Sequence, residues 1–272
     1  MLMTVFNAER FLSDSINSLL SQDFKDWELN VVENGSTDRS PEILSKFDDP
    51  RIVKRFLPIN IGRSKALNLA LSDSAAPYVA ILDADDLAHP SRLSKEVLFL
   101  ENNPHIGLVG SWSCFIDDAG NTYAKHTPPS THANLIRYMA TSNPFVHSSV
   151  MIRQSVLKQV GKYDERFDYA QDFNLAFRIA SQSEIAVIPE YLCSWRRTNG
   201  AMTSSLSNRL LRSRDEAIIF DESSKIVKFD IMDGLLNKKQ QVLTRLILVF
   251  NLLLVHRVGD AIKVIIKGPH HF

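Results

Sequence analysis

Short apolar runs alternate with segments of helical periodicity from the start of the chain to about residue 110. Residues 9–22 place Leu12, Ile16 and Leu19 on one face of a predicted helix, and residues 64–72 and 91–103 repeat the pattern. Because strands that alternate with helices form parallel sheets, we expect an α/β fold with a mostly parallel sheet flanked by helices. The apolar runs predict strands at 27–32, 51–56, 78–82 and 106–112.

The pattern changes after residue 112. "DDAGN" (117–121) predicts a hairpin, and "TPPSTH" (127–132) predicts a loop before a helix near 133–139. The periodicity then predicts a strand at 145–153, a helix at 154–161 that ends at Gly161, a helix at 171–182 and strand-like runs at 184–197. From about residue 204 the pattern is helical.

Polar clusters stand where four strands end: the stub of a first strand at the start of the sequence, and the strands predicted at 27–32, 51–56 and 78–82. Ligands of doubly wound sheets bind outside the carboxyl ends of the strands, so four polar loops on one edge predict a binding site. These clusters are "TVFN" (4–7), "ENGSTD" (33–38), "NIG" (60–62) and "DADD" (83–86).

The composition narrows the class of protein. The 272 residues include 31 Lys and Arg and 31 Asp and Glu, so no overall basic field favours nucleic acid as a partner. Cys114 and Cys193 lie far apart without a CxxC or Cys/His spacing, so the sequence indicates neither a zinc site nor a disulfide framework, which favours a reducing, cytoplasmic location. The first residues do not have the pattern of a signal peptide, and the longest apolar run, 246–255, is too short to span a bilayer.

Three carboxylates, Asp83, Asp85 and Asp86, follow the apolar run at 78–82. Carboxylates this close raise one another's pKa unless a cation or hydrogen-bond donors compensate. A DxD at a strand end offers the hard oxygen ligands that Mg²⁺ or Mn²⁺ prefers. The alternative is that Asp85 or Asp86 caps the helix that begins near Pro90.

The cluster "ENGSTD" also has two interpretations. It is a turn in which Asn34 and Gly35 supply a permissive backbone and Ser36 or Asp38 caps the next helix. Alternatively, its exposed N–H groups and side-chain oxygens hold a polar ring such as a nucleobase.

The segments "TVFNAERFLSDSINSLLSQDFKDWELNVVENGSTDRS", "NIGRSKALNLAL" and "YVAILDADDLAHPSRL" resemble, in order and spacing, a family 2 glycosyltransferase of the GT-A fold. The similarity continues through "NPFVHSSVMIRQSVLKQVGKYDERFDYAQDFNLAFRIA" to "YLCSWRRTNGAMTSS". It implies a catalytic domain over 1–205, with a nucleotide-binding half (1–112) and an acceptor-side half (113–205). A helical C-terminal extension (206–272) follows.

The resemblance also implies roles for individual residues. Asp83 and Asp85 match the DxD that holds a divalent cation, Mn²⁺ or Mg²⁺. Asp172 matches the catalytic base, although the helix dipole alone would also favour an acid in the first turn of that helix. Arg196 or Arg197 matches the basic position that meets the diphosphate. The positions assigned to the nucleotide sugar are Thr4, Phe6, Glu9, Glu33, Asn34, Ser36, Lys65 and Asp83.

This sequence departs from the family's pattern at Asn34, where a second Asp is common. It also departs at Gln171, where Glu usually precedes the base. Two further residues have open roles. His147 is either a buried strand histidine or a substrate contact, and Trp195 either packs or stacks on a sugar.

The resemblance implies a metal-dependent inverting glycosyltransferase. Its donor would be a UDP-, GDP- or dTDP-sugar, and its acceptor a glycan, a lipid-linked sugar or a polysaccharide. A non-catalytic sugar-nucleotide binding module and a DxD phosphatase are the alternatives. In such a phosphatase, however, the motif follows the first strand rather than the fourth.

The extension 206–272 carries 11 Lys and Arg against 7 Asp and Glu. Its mixture of apolar and basic residues suits an anionic membrane surface, which would place the protein peripherally at the inner face of the membrane. Core packing or a homodimer interface is the alternative.

Overall fold

The computed structural model describes residues 1–72, 74–139, 142–167, 169–197, 211, 212, 214–216, 218 and 219. These residues form an α/β fold. The strands are β1 (Leu2–Val5), β2 (Leu29–Asn34), β3 (Ile52–Leu57), β4 (Tyr78–Ala80), β5 (Leu87–Ala88), β6 (Ile106–Ile116), β7 (Thr122–His126), β8 (Met151–Arg153) and β9 (Glu184–Arg196). The helices are α1 (Leu12–Leu20), α2 (Ser40–Ser45), α3 (Arg63–Ser72), α4 (Arg92–Asn102), α5 (His132–Met139), α6 (Gln154–Val160) and α7 (Gln171–Ala180).

The strands of the first half form the expected parallel sheet. β1 pairs with β2, and β2 with β3, both in parallel. Leu2 forms a parallel bridge to Ile81, and the N–H of Leu82 donates to the carbonyl of Leu2 over 3.1 Å, so the chain leaving β4 lies beside β1. The carboxyl ends of β1, β2 and β4 therefore lie at one edge of the sheet.

The second half adds strands of both directions. β6 pairs in parallel with β9, whereas β7 and β8 pair with β6 in antiparallel fashion. β8 and β9 also pair antiparallel with β4 and β5, respectively. The hairpin predicted at 117–121 is confirmed, since it connects β6 to β7.

The core lies on both faces of the sheet. Leu12, Ile16 and Leu19 of α1 are fully buried, as their spacing predicts. Successive residues of a strand face opposite sides, and Leu2 and Met3 of β1 accordingly belong to two separate apolar clusters. The helices α3 and α7 contribute to the first cluster, and α1 and α4 to the second.

The strand predicted at 145–153 is wrong over most of its length. Residues His147–Ser149 form a 3₁₀ turn, and only Met151–Arg153 are extended as β8. The hydroxyl of Ser148 binds the carboxylate of Asp86 and accepts the N–H of Asp83, so its side chain is committed to the neighbouring loop. Polar contacts therefore outweigh strand pairing at this position.

Most of the extension predicted to be helical lies outside the described residues. Within it, residues 211, 212, 214–216, 218 and 219 are helical, and Ile219 is fully buried against the first cluster. The predicted membrane or dimer role of 206–272 depends on residues that are not described. Within the described part of the chain, no helix is both long and apolar enough to cross a bilayer.

Candidate active site

Two loops at the carboxyl edge of the sheet hold each other in place. The first loop (6–11) follows β1, and the second loop (35–39) follows β2. The N–H of Asn7 donates to the hydroxyl of Ser36 over 3.0 Å, and the N–H of Thr37 donates to Oδ1 of Asn7 over 2.9 Å. The N–H of Arg39 donates to the carboxylate of Glu9 over 3.0 Å. Glu9 and Ser36 thus join the two loops, as well as belonging to the predicted nucleotide site.

Glu33 closes the turn that it precedes. Its side chain is buried, and its two carboxylate oxygens accept the N–H groups of Ser36 at 2.8 Å and Gly35 at 3.2 Å. The turn interpretation of "ENGSTD" is therefore confirmed, and the capping interpretation of Ser36 is not, because its hydroxyl binds the first loop.

Asn34 joins a third loop to the other two. It is buried, its Oδ1 accepts the N–H of Ile61 over 3.0 Å, and its Nδ2 donates to Oδ1 of Asn60 over 3.2 Å. A carboxylate could accept but not donate at this position. The departure from the family's Asp therefore has a structural reason.

Thr4 and Phe6 stand at the end of β1. Thr4 is half-buried and pairs with Val32, whereas Phe6 is 47% exposed beside the joined loops. Of the residues predicted at the nucleotide site, Phe6 has an accessible apolar surface that suits a ring.

Asp83 is the charged centre of the acidic loop (83–86). Nη2 of Arg63 donates to both of its carboxylate oxygens at 2.6 Å, and Nδ1 of His147 lies 3.2 Å from Oδ1. Burial raises the pKa of Asp83, but the charges and hydrogen bonds of Arg63 and His147 outweigh burial and lower that pKa below its usual range. Asp83 is therefore ionised.

Asp85 is in a different environment two residues further on. Burial, reinforced by the charge of Asp83, raises the pKa of Asp85 to about 6. Its carboxylate is half-buried next to another carboxylate, so a positive ligand would stabilise its ionised form.

Asp86 supports the acidic loop instead of capping α4. It is 1% exposed, its Oδ1 accepts the N–H of Arg196 over 2.7 Å, and its Oδ2 accepts the hydroxyl of Ser148. Burial, with Asp85 and Asp83 adding to it, raises the pKa of Asp86 well above its ordinary value. The residue before α4 is Ser91, so the capping alternative for Asp85 and Asp86 is wrong.

Arg63 is the basic residue of α3 that reaches the site. It was not among the residues predicted from the sequence. Residues two apart on a helix point about 200° apart. Lys65 is accordingly exposed, whereas Arg63 binds Asp83. The sequence did contain a signal for this role. Arg63 directly follows Gly62, which lies in a loop at the edge of the sheet.

The two candidate arginines at the end of β9 have separate roles. Arg196 is 4% exposed, and its Nη1 donates to the carbonyls of Asp117 at 3.0 Å and Asp118 at 3.1 Å. Its Nε donates to the carbonyl of Asp85 over 2.9 Å. Arg197 is exposed. Arg196 therefore holds loops together, and Arg197 is the residue whose side chain is accessible to a diphosphate.

Asp172 lies in the first turn of α7, which begins after Ala170. Nδ2 of Asn143 donates to Oδ2 of Asp172 over 2.9 Å. Burial lowers the pKa of Arg63, but Asp83, Asp172 and Asp85 together raise it above the ordinary value. The charges of three predicted site carboxylates thus act on one guanidinium, which Asp83 contacts directly.

His147 connects the acidic loop to the side of the site where Asp172 lies. It is buried, contacts Asp83 through Nδ1, and has Nε2 at 3.0 Å from the hydroxyl of Tyr163. Its ring is buried, as one interpretation expects, but the residue lies in a 3₁₀ turn and not in a strand. A small cavity is lined by Asn143, His147, Tyr163 and Asp172, among others.

A divalent cation would have two protein ligands here. Among the described residues, no group of three or more His, Cys, Asp and Glu side chains could hold a metal ion. Mg²⁺ and similar ions are often bound by one or two carboxylates, with water and substrate phosphates completing the shell. Asp83 and Asp85 fit this arrangement, and the raised pKa of Asp85 marks where positive charge is needed.

Known proteins share this sequence pattern. The model of the family described as Glycosyl transferase family 2 matches residues 1–161. An uncharacterized glycosyltransferase of Methanocaldococcus jannaschii is 34% identical over 203 residues, covering 72% of this chain and 70% of that protein. The amylovoran biosynthesis glycosyltransferase AmsE of Erwinia amylovora is 28% identical over 200 residues, covering 72% of this chain and 74% of that protein.

Solved structures share the fold. The 1–349 fragment of S. aureus TarS in complex with UDP-GlcNAc superposes with a TM-score of 0.67 at 20% identity, covering 83% of this chain and 69% of that one. The mannosyltransferase PcManGT from Pyrobaculum calidifontis, in complex with GDP-Man and Mn²⁺, superposes with a TM-score of 0.66 at 17% identity. The match covers 96% of this chain and 74% of that one. Both are GT-A glycosyltransferases, which confirms the expected fold. Because the family model spans more than half of the chain, this protein belongs to glycosyl transferase family 2 and is a glycosyltransferase.

Proposed function

We propose that this enzyme is a metal-dependent inverting glycosyltransferase that transfers a sugar from a nucleoside diphosphate sugar to an acceptor hydroxyl. The observation that carries the proposal is that Arg63 binds Asp83 at the carboxyl edge of the sheet and that the charges of Asp172 and Asp85 also act on this guanidinium. Such a grouping supports the proposal, because the ligands of a cation, a counter-charge for a diphosphate and a base would all be needed in one site.

The joined first and second loops would receive the nucleoside. Their mutual hydrogen bonds fix them before a ligand arrives, which lowers the ordering cost of binding. Phe6 offers an exposed aromatic face to the base, and Arg63 and Arg197 supply positive charge for the diphosphate. The complexes of two structural neighbours with UDP-GlcNAc and GDP-Man support a nucleotide sugar as the donor.

Asp85, assisted by Asp83, would hold the cation. When bound, Mn²⁺ or Mg²⁺ supplies Lewis-acid stabilisation of the departing nucleoside diphosphate. The Mn²⁺ in the neighbouring mannosyltransferase complex supports this choice of ion. Arg63 already neutralises Asp83, so Asp85 carries the charge that remains to be balanced.

Asp172 would act as the general base. It takes the proton of the acceptor hydroxyl while that oxygen forms a bond to the anomeric carbon, and the bond from this carbon to the diphosphate oxygen breaks. A single displacement of this kind inverts the anomeric configuration. The nucleoside diphosphate leaves with the electron pair of the broken bond.

The acceptor would be a glycan, a lipid-linked sugar or a polysaccharide. The name of the relative AmsE, an amylovoran biosynthesis glycosyltransferase, supports an acceptor of the polysaccharide class. A panel of lipid-linked and free oligosaccharides, compared for transfer rate, would identify it.

Nucleoside diphosphate release from UDP-, GDP- and dTDP-sugars with Mn²⁺ tests the proposal. We expect release with one donor class, and we expect Asp85→Ala and Asp172→Asn to abolish it. Donor binding without turnover would indicate a non-catalytic module. Phosphate release from phosphomonoesters, with no requirement for a sugar donor, would refute the proposal.

Donor binding can be tested separately from turnover. Arg63→Leu removes a charge-assisted contact, so we expect the Kd of the nucleoside diphosphate to rise about tenfold in calorimetry. Lys65→Leu is the matched control, because it removes the same charge from the exposed side of α3. Equal effects of the two substitutions would show that only the overall charge matters.

A further inference from the structure

The side-chain amide of Asn143 has one defined orientation. Asn143 is 9% exposed, and its Oδ1 accepts the N–H of Phe145 over 3.0 Å. Because that N–H can only donate, the oxygen must face it, and Nδ2 must face Asp172. Nδ2 accordingly donates to Oδ2 of Asp172 over 2.9 Å.

This contact makes the two oxygens of Asp172 inequivalent. Oδ2 accepts a hydrogen bond from a neutral donor, so within the part of the chain that the structure describes Oδ1 is the oxygen available to an acceptor hydroxyl. We infer that Asn143 is a positioning residue that orients the carboxylate of Asp172 and assigns proton acceptance to Oδ1. The inference rests on the proposed role of Asp172 as the base.

The charged and titratable groups around Asp172 are compatible with this assignment. Arg63, from α3, is close enough that Asp172 contributes to raising its pKa. Tyr163, from the segment after α6, lines the same cavity, and burial with help from Asp172 raises the pKa of Tyr163 far above its usual range. Tyr163 therefore stays protonated, and His147 lies between it and Asp83. Among the described residues, Asn143 is thus a neutral donor bonded to Asp172, whose charge also acts on Arg63.

The substitution Asn143→Asp tests the inference with little change in shape. It keeps an oxygen for the N–H of Phe145 but replaces the donor that faces Asp172 with a second carboxylate oxygen. Two carboxylates at this distance cannot both ionise easily. We expect the acidic limb of the pH–rate profile to move to higher pH by at least about one unit, and kcat to fall at least tenfold with little change in the donor KM.

Asn143→Ala should move the limb in the same direction by a smaller amount, because it removes a donor without adding charge. The control is Asn68→Ala. The amide of Asn68 makes two hydrogen bonds of 2.9 Å to the backbone of Tyr163 but makes none to Asp172. Asn68→Ala should lower the melting temperature and leave the acidic limb in place.

A titration of carboxyl ¹³C signals gives a readout that does not depend on turnover. The Asp172 signal is assigned as the one missing in Asp172→Asn, and its midpoint should rise by about one pH unit in Asn143→Ala. An unchanged midpoint and acidic limb, with only a lower melting temperature, would overturn the inference and leave Asn143 as a structural residue. Full activity of Asp172→Asn would instead overturn the proposed base, so the two failures are distinguishable.

Discussion

Gly35→Ala should destabilise the protein and disturb the loops at the carboxyl edge of the sheet, because two separate constraints act at this position. Gly35 has φ +70°, a backbone conformation that favours glycine. A Cβ atom there would also lie 2.3 Å from the carbonyl carbon of Ile59 and 2.6 Å from the N atom of Asn60. Both of these atoms are backbone, so relief of the clash requires the 59–62 loop to move.

The magnitude can be worked out from these contacts. The left-handed conformation costs an alanine about 1 kcal/mol. Moving the loop strains or breaks the hydrogen bonds of Asn34 to Ile61 and Asn60, each with a net contribution of about 1 kcal/mol. The free energy of unfolding should therefore fall by about 3 kcal/mol.

Gly120→Ala is the matched control. Gly120 has φ +85°, but no atom lies within 4 Å of an added Cβ. Only the conformational cost of about 1 kcal/mol remains. Urea denaturation followed by circular dichroism should show a loss about 2 kcal/mol larger for Gly35→Ala than for Gly120→Ala. Equal losses would refute the argument that close backbone packing restricts residue 35 to glycine.

The remaining predictions concern buried charge. Burial raises the pKa of Glu96 to about 7 despite its pairing with Arg92, so the folded state binds more protons than the unfolded state between about pH 4.5 and 7. The free energy of unfolding falls as pH rises through this window, by up to about 1.4 kcal/mol per pH unit. Glu96→Gln should remove this dependence of the free energy of unfolding on pH, measured by denaturation at a series of pH values. An unchanged dependence would contradict the prediction. Arg196→Ala should cost about 3 kcal/mol in denaturation experiments, because it removes a buried guanidinium that donates to the part-buried carbonyls of Asp85 and Asp117. Arg197→Ala should change stability by less than about 0.5 kcal/mol and raise the donor KM, and similar destabilisation by both substitutions would contradict their assigned roles.

The parts of the fold that were predictable from the sequence depend on local periodicity. The face formed by Leu12, Ile16 and Leu19, and the apolar run at 78–82, each specify an element within a few residues. Because the carboxyl ends of neighbouring parallel strands share one edge, the convergence of the polar loops also followed from local patterns.

The contacts of the candidate site that the sequence did not predict join residues far apart in the chain. The pairing of Arg63 with Asp83 and the hydrogen bond of Asn143 to Asp172 each require a loop and the first turn of a helix to meet in space. Periodicity contains no information on such pairs. The resemblance could assign Lys65 a position along the chain, but only the helix geometry shows that it points away from Arg63.

Arg196 also constrains the order in which the protein can assemble. Its N–H reaches the carboxylate of Asp86 across 110 positions of the chain, and its side chain fixes the backbone of Asp85. Contacts of this sequence separation form late, because the closure of a long loop precedes them. A nascent chain released before β9 has emerged from the ribosome would contain Asp83 and Asp85 but not the residue that holds their loop. The acidic loop is therefore fixed only after residue 196 has emerged.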